Sequence, residues 1–198
     1  MRLAIYGGTF DPIHSAHLAV AQEAVNGFAL DQVLFIPAAR PPHKGGVTHA
    51  PYEDRVRMVA LACEGEPRFA VSRLEEGTAR SYSIDTIEKL RAAQPSAELF
   101  FLIGADAFAE IRTWHRWQDV AGAVRFLVVS RPGSSYQPQP GVDAARLDTL
   151  ELPVSSSEIR RALAAGELPA AVPPPVLAYI LGHGLYGTRG ACFSLGGN

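Results

Sequence analysis

The sequence predicts an α/β domain whose parallel sheet is covered by helices on both faces. Three observations carry that prediction. Short apolar runs alternate with stretches of helical spacing as far as about residue 130. Each run stops at a glycine, a proline or a polar loop. Hydrophobic residues make up 47% of the 198, enough for one sizeable core.

Arg2 to Tyr6 reads as a buried strand stopped by Gly7-Gly8, and His17 to Val25 as a helix ending before Gly27. Val33 to Ile36 is a second buried strand closed by Pro37, and a loop rich in Pro, Gly and His runs on to Ala50. Pro51 suits the first turn of a helix whose Val56, Val59 and Ala60 share one face. Phe69 to Val71 makes a short third strand. Ile84, Ile87 and Leu90 define a helix over Ser83 to Ala93. Leu99 to Ile103 and Phe126 to Val129 are the clearest remaining strands, with helical patterns at Asp106 to Ile111 and Trp117 to Ala121 between them. A proline-bearing excursion follows from Ser130 to Gly141. Ser155 then opens a helix, with Glu158 completing a capping box. This order is that of a Rossmann-like, doubly wound sheet in a single domain. The expected domain covers 1–188, and residues 189–198 read as a loose tail.

With 18 Lys+Arg against 20 Asp+Glu, the chain lacks the basic excess of a broad nucleic-acid binder. Two cysteines, Cys63 and Cys192, cannot form a disulfide framework or a cysteine zinc site. The apolar start is too short for a signal peptide, and the stretch from Pro169 to Thr188 is broken by Pro173-Pro174-Pro175. The expectation is a cytoplasmic protein with no membrane partner, open to homo-oligomerisation.

In a doubly wound sheet, ligands sit beyond the carboxyl ends of the strands, so the loops there hold the information. After the first strand, Gly7 and Gly8 allow close approach to the backbone, and the next helix start favours anions. His14 and His17 share one face of that start and can offer N–H groups to a phosphate. Pro41-Pro42-His43-Lys44 holds a lysine at a stiffened tip. Around Ser83 and Thr86, hydroxyls and helix-start amides suit a carboxylate, although such hydroxyls are also plain caps. Asp106 ends the strongest strand, where an acid can accept from ribose hydroxyls. Trp114 lies among polar neighbours and can offer a stacking face, whereas Trp117 fits the core. Ser155, Ser156 and Ser157 open the late helix, with Arg160 about one turn inside.

The string Gly7-Gly8-Thr9-Phe10-Asp11-Pro12-Ile13-His14-Ser15-Ala16-His17-Leu18 resembles the nucleotidyltransferases that share an H-x-G-H signature, with Ala16 in place of its glycine. Together with PPHK, RSYSIDT, IGAD, TWHRW, RPG and SSSEIR, it resembles the bacterial nicotinate-nucleotide adenylyltransferases over nearly the whole chain. Ser83 stands where that family usually has Thr. The resemblance implies transfer of AMP from ATP to nicotinate mononucleotide. It gives His14, His17, Lys44 and Arg160 the catalytic contacts to phosphate. Gly7, Gly8, Thr9, Phe10, Gly104, Ser155, Ser156 and Ile159 would bind ATP. Ser83, Thr86, Asp106, Trp114, His115 and Arg131 would bind the mononucleotide. Mg²⁺ would arrive with ATP rather than in a protein cage. A nicotinamide mononucleotide or phosphopantetheine acceptor, or a silent nucleotide sensor, are the alternatives.

Overall fold

The computed structural model describes residues 1–40, 48–78, 80–130, 137–148 and 154–188. Six strands form one parallel sheet: β1 (Arg2–Gly8), β2 (Gln32–Pro37), β3 (Phe69–Val71), β4 (Glu98–Gly104), β5 (Arg125–Ser130) and β6 (Ala144–Asp148). Their order is β3-β2-β1-β4-β5-β6, so the winding reverses between β1 and β4. In sheets of this order that crevice receives the ligand.

Side chains alternate across the sheet with period two. Leu3 and Ile5 of β1, with Leu99, Phe101 and Ile103 of β4, pack on one face. Ala4, Phe100 and Leu102 pack on the other. The first face is closed by α3 (Ser83–Ala93), α4 (Ala105–Ala109) and α5 (Trp117–Ala123), through Ile84, Ile87, Phe108 and Val120. The second is closed by α1 (Ser15–Phe28), α2 (Tyr52–Cys63), α6 (Ser156–Ala164) and α7 (Pro174–Gly182), through Ala21, Val59, Ile159 and Ile180. Each fully buried Leu, Ile or Phe contributes about 1.5–3 kcal/mol, so both faces are substantial cores.

Two elements differ from expectation. β6 lies between the Ser130–Gly141 excursion and the helix at Ser155, where no strand was expected. Its sequence, AARLD, has one bulky apolar residue, Leu147, because an edge strand packs against a single neighbour. Helix α1 runs past Gly27 to Phe28, and its left-handed cap falls on Ala29 (φ 45°) rather than on a glycine. Exposed Gly27 costs a last turn little. Among the described residues, no helix is long and apolar enough to cross a membrane. The segment with Lys44, the one with Arg131 and the expected tail lie outside the described residues.

Candidate active site

The loop leaving β1 is shaped from within. Phe10 has φ 48° and turns its ring inward, 2% exposed, against Tyr6, Phe35 and His17. A Cβ on Gly8 would come within 2.9 Å of that ring. Gly8 is therefore required by Phe10, a reason the sequence reading did not supply. A Cβ on Gly7 would meet only Phe101 at 3.9 Å, and one on Gly104 nothing within 4 Å. Gly8 and Gly104 each lie three residues beyond the paired Ile5 and Phe101, at the carboxyl ends of neighbouring strands. The open backbone thus faces the crevice where the winding reverses.

His14 is the N-cap of α1 and His17 its third residue. Their rings lie 3.8 Å apart between centroids. The His14 backbone N–H donates to His17 Nδ1 at 3.2 Å, so neutral His17 carries its proton on Nε2. The reciprocal half of this capping arrangement falls short of a hydrogen bond. The His17 N–H goes to the His14 carbonyl at 3.0 Å, leaving His14 Nδ1 buried without a partner. Burial pushes the His14 imidazole down to about 4, and burial with the neighbouring His14 holds His17 well below the usual histidine range. Near neutrality the pair offers N–H donors without charge. The first amide of α1, on Ser15, already donates to the Ala171 carbonyl at 2.8 Å.

The next residues are clamped by side chains from distant elements. Buried Asp11 accepts from the amides of His49 (2.7 Å) and Ala50 (3.1 Å) and from the Tyr186 hydroxyl (2.7 Å). Arg160 of α6 donates to the Asp11 carbonyl at 2.6 Å, and Ser156 to the Pro12 carbonyl at 3.0 Å. Ser155 caps α6 through Glu158, as the capping box predicts, and its hydroxyl also contacts Ser157. The serines of α6 thus have protein partners, and the Ile159 side chain lies in the core. Arg160 is the α6 group that brings charge to the β1 loop.

Across the crevice, Ser83 is the first residue of α3 and Tyr82 its N-cap. The Tyr82 ring lies 4.5 Å from that of His115, while Arg116 pairs with Glu88 of α3 at 2.9 Å. These contacts join the start of α3 to the segment bearing Trp114. Trp114 is half-buried, edge-on to Phe101 at 5.8 Å. The Thr86 hydroxyl is buried and donates to Glu75 Oε1 at 3.0 Å, so its proton serves that carboxylate rather than a ligand. Burial pushes the Glu75 carboxyl up, against the hydrogen bonds that favour its charged form. Asp106 is exposed in the first turn of α4.

A family model described as cytidylyltransferase-like matches residues 5–162. A Solibacter usitatus protein named probable nicotinate-nucleotide adenylyltransferase is 70% identical over 187 residues, covering 94% of this chain and 100% of the relative. The chain belongs to the nicotinate-nucleotide adenylyltransferase family. A Thermus thermophilus relative of the same name is 44% identical, over 94% of this chain and all of its own. In fold, the chain is similar to the Plasmodium falciparum nicotinic acid mononucleotide adenylyltransferase complexed with NaAD. That match has a TM-score of 0.78 at 18% identity and covers 95% and 98% of the two chains.

Within this family member the structure brings Gly7, Gly8, Thr9, Phe10, His14, His17, Ser156 and Arg160 together around one loop. It joins Ser83, Thr86, Trp114 and His115 in a second group. Sequence reasoning gave no role to Asp11, Arg55, Glu75 or Tyr186. Arg55 carried a visible signal: it falls on the buried stripe of α2 with Val56, Val59 and Cys63, a charge at a core position. Glu75 sits buried in a turn and half-buried Tyr186 in the short 3-10 helix Leu185–Gly187, where no periodicity marks a group turned inward.

Proposed function

We propose that this chain transfers the adenylyl group of ATP to nicotinate mononucleotide, forming deamido-NAD and pyrophosphate in NAD biosynthesis, with residues 1–188 as the catalytic domain. The observation that carries this reading is the 70% identity to the Solibacter relative over that protein's full length. The geometry agrees with it. Two groups of side chains, one rich in N–H donors and one at a helix start beside aromatic rings, flank the point where the sheet reverses.

A mononucleotide phosphate has its second pKa near ~6, so its attacking oxygen is ionised without a general base. That oxygen bonds to the α-phosphorus of ATP, the bond to the β-phosphate breaks, and pyrophosphate leaves with the electron pair. No proton has to move. The protein aligns two anions and stabilises charge on the transferred and leaving phosphates. In this reading His14 and His17 donate N–H bonds to phosphate, with His17 the main contact to the transition state. Arg160 and Lys44 hold the outer phosphates, and Gly7 to Phe10 form the cradle. Gly104 gives ATP a close approach to the backbone, Ser155 and Ser156 seat the α6 end of the ATP site, and the Ile159 backbone lies along it. Trp114 stacks on the pyridine ring, and Asp106 binds its ribose. Arg131 completes the acceptor site. Ser83, the first amides of α3 and the His115 N–H receive the carboxylate, with Thr86 beside them on the same helix start.

The divalent cation, Mg²⁺ in this proposal, comes with the triphosphate. Among the described residues, no three metal-ligating side chains converge to cage it. It would neutralise phosphate charge.

The test is pyrophosphate release from ATP with nicotinate mononucleotide, nicotinamide mononucleotide or phosphopantetheine as acceptor. The acid mononucleotide should be strongly preferred. Equal use of the amide would remove the carboxylate site, and release with phosphopantetheine alone would replace the assignment.

A further inference from the structure

Arg55 lies on α2 and is fully buried, at 0% exposure. No carboxylate lies within ion-pair distance of it among the described residues. Its partners are backbone carbonyls: Nη1 donates to Thr9 at 2.7 Å and Nε to Ala50 at 3.3 Å, while Nη2 is buried without a hydrogen-bond partner. The guanidinium also lies over the Tyr52 ring at 5.6 Å. Its hydrogen bonds go to neutral acceptors, Asp11 and Glu75 attract it only from beyond ion-pair distance, and desolvation outweighs that attraction, so such burial is a poor way to gain stability.

What the arrangement does achieve is geometric. A trans peptide is planar, so holding the Thr9 carbonyl on Arg55 turns the Phe10 N–H to the opposite side. Ala50 is fixed at both ends, its N–H on Asp11 and its carbonyl on Arg55. Three hydrogen bonds, Arg55 to Thr9, Arg55 to Ala50 and Ala50 to Asp11, therefore close a ring with the Thr9–Phe10–Asp11 backbone. That ring locks the β1 loop against residues 49–50 and supports Phe10 in its left-handed conformation, which costs about 1–3 kcal/mol for a non-glycine residue.

We propose that Arg55 is a positioning residue for adenylyl transfer, a buried guanidinium that sets the Thr9–Phe10 peptide of the ATP cradle from beneath. This rests on the function proposed above, but its effect on ATP binding can be read without an acceptor. Misplacement of a cradle by about 1 Å costs on the order of 10²-fold in rate.

The experiment compares Arg55→Met, Arg55→Lys and, as a control, Arg57→Met, an exposed arginine two residues along the same helix. ATP affinity is measured by calorimetry, thermal midpoint by circular dichroism, and turnover by pyrophosphate release. Arg55→Met should keep its midpoint within a few degrees, yet bind ATP more weakly and turn over on the order of 10- to 100-fold more slowly. The KM for nicotinate mononucleotide should stay near its original value. Arg55→Lys, whose single ammonium reaches one carbonyl, should fall between. The proposal is overturned if folded Arg55→Met, or folded Arg55→Lys where Met does not fold, matches Arg57→Met in ATP affinity and turnover. It is equally overturned if activity falls only in proportion to lost fold. If the unaltered chain binds ATP but releases no pyrophosphate, the acceptor assignment fails and the affinity comparison still decides the role of Arg55.

Discussion

Acid should unfold the ligand-free protein partly through His14, and the size of that effect follows from its burial. The imidazole is 5% exposed, and burial pushes it down to about 4 from the usual 6.5. Between those values the unfolded chain binds a proton that the folded one refuses. Stability present above pH 6.5 is therefore lost as the pH falls towards 4. At a pH of about 4.5 the linkage gives a loss of about 2.5 kcal/mol relative to about 7.5. For a domain of this size that lowers the thermal midpoint by roughly 5–10 °C. Replacing His14 with Asn removes the titrating group, and the acidic residues common to both proteins cancel in the difference. Thermal melts of both proteins across this pH range, without nucleotide, measure it. The midpoint of His14→Asn minus that of the unaltered chain should rise as the pH falls. A difference that stays flat with pH would refute the picture of a neutral, buried imidazole.

Replacing His17 with Ala should lower turnover by on the order of 10²-fold or more, as loss of one transition-state donor does; near-normal turnover in a folded variant would count against its role. Gly8→Ala drives a methyl into the packed Phe10 ring and should cost about 1–3 kcal/mol, read by chemical denaturation. Adding Phe10→Leu should restore part of that loss, and strict additivity of the two would disprove the contact. Thr86→Val deprives buried Glu75 of a donor and should cost about 1–3 kcal/mol. Because that bond favours the ionised carboxyl, the loss should grow as the pH rises through Glu75's elevated pKa; a penalty shrinking with pH would reverse the reasoning. Trp114→Ala should raise the KM for nicotinate mononucleotide far more than that for ATP, whereas equal rises would argue against stacking.

Helix α3 was legible to its bounds because Ile84, Ile87 and Leu90 repeat cleanly and both ends are polar. The central strands were legible because both their faces are buried, which makes each an unbroken apolar run. β6 was hidden because an edge strand needs only Leu147 to dock. The β1-loop residues were visible as a contiguous string, and the Ser155–Glu158 capping box was visible too, but other reasons were not. Gly8 is dictated by the left-handed turn at Phe10, which folds that ring back over it, and Ser156 bonds to Pro12. The first depends on a backbone angle and the second on where the chain returns in space. Arg55 shows the same divide: its place on an apolar stripe could be read, but its carbonyl partners could not.

The two cores also divide the proposed labour. Phe10, α1, α2 and α6, which carry or brace the ATP side, pack on one face of the sheet. The start of α3, α4 through its core residue Phe108, and Trp114, which carry or brace the proposed acceptor side, pack on the other. In that proposal the sheet is a partition between two recognition tasks, and substitutions far apart across it combine nearly independently. Such a chain can retune which acceptor it adenylates by altering one face, while the nucleotide-handling face is inherited unchanged.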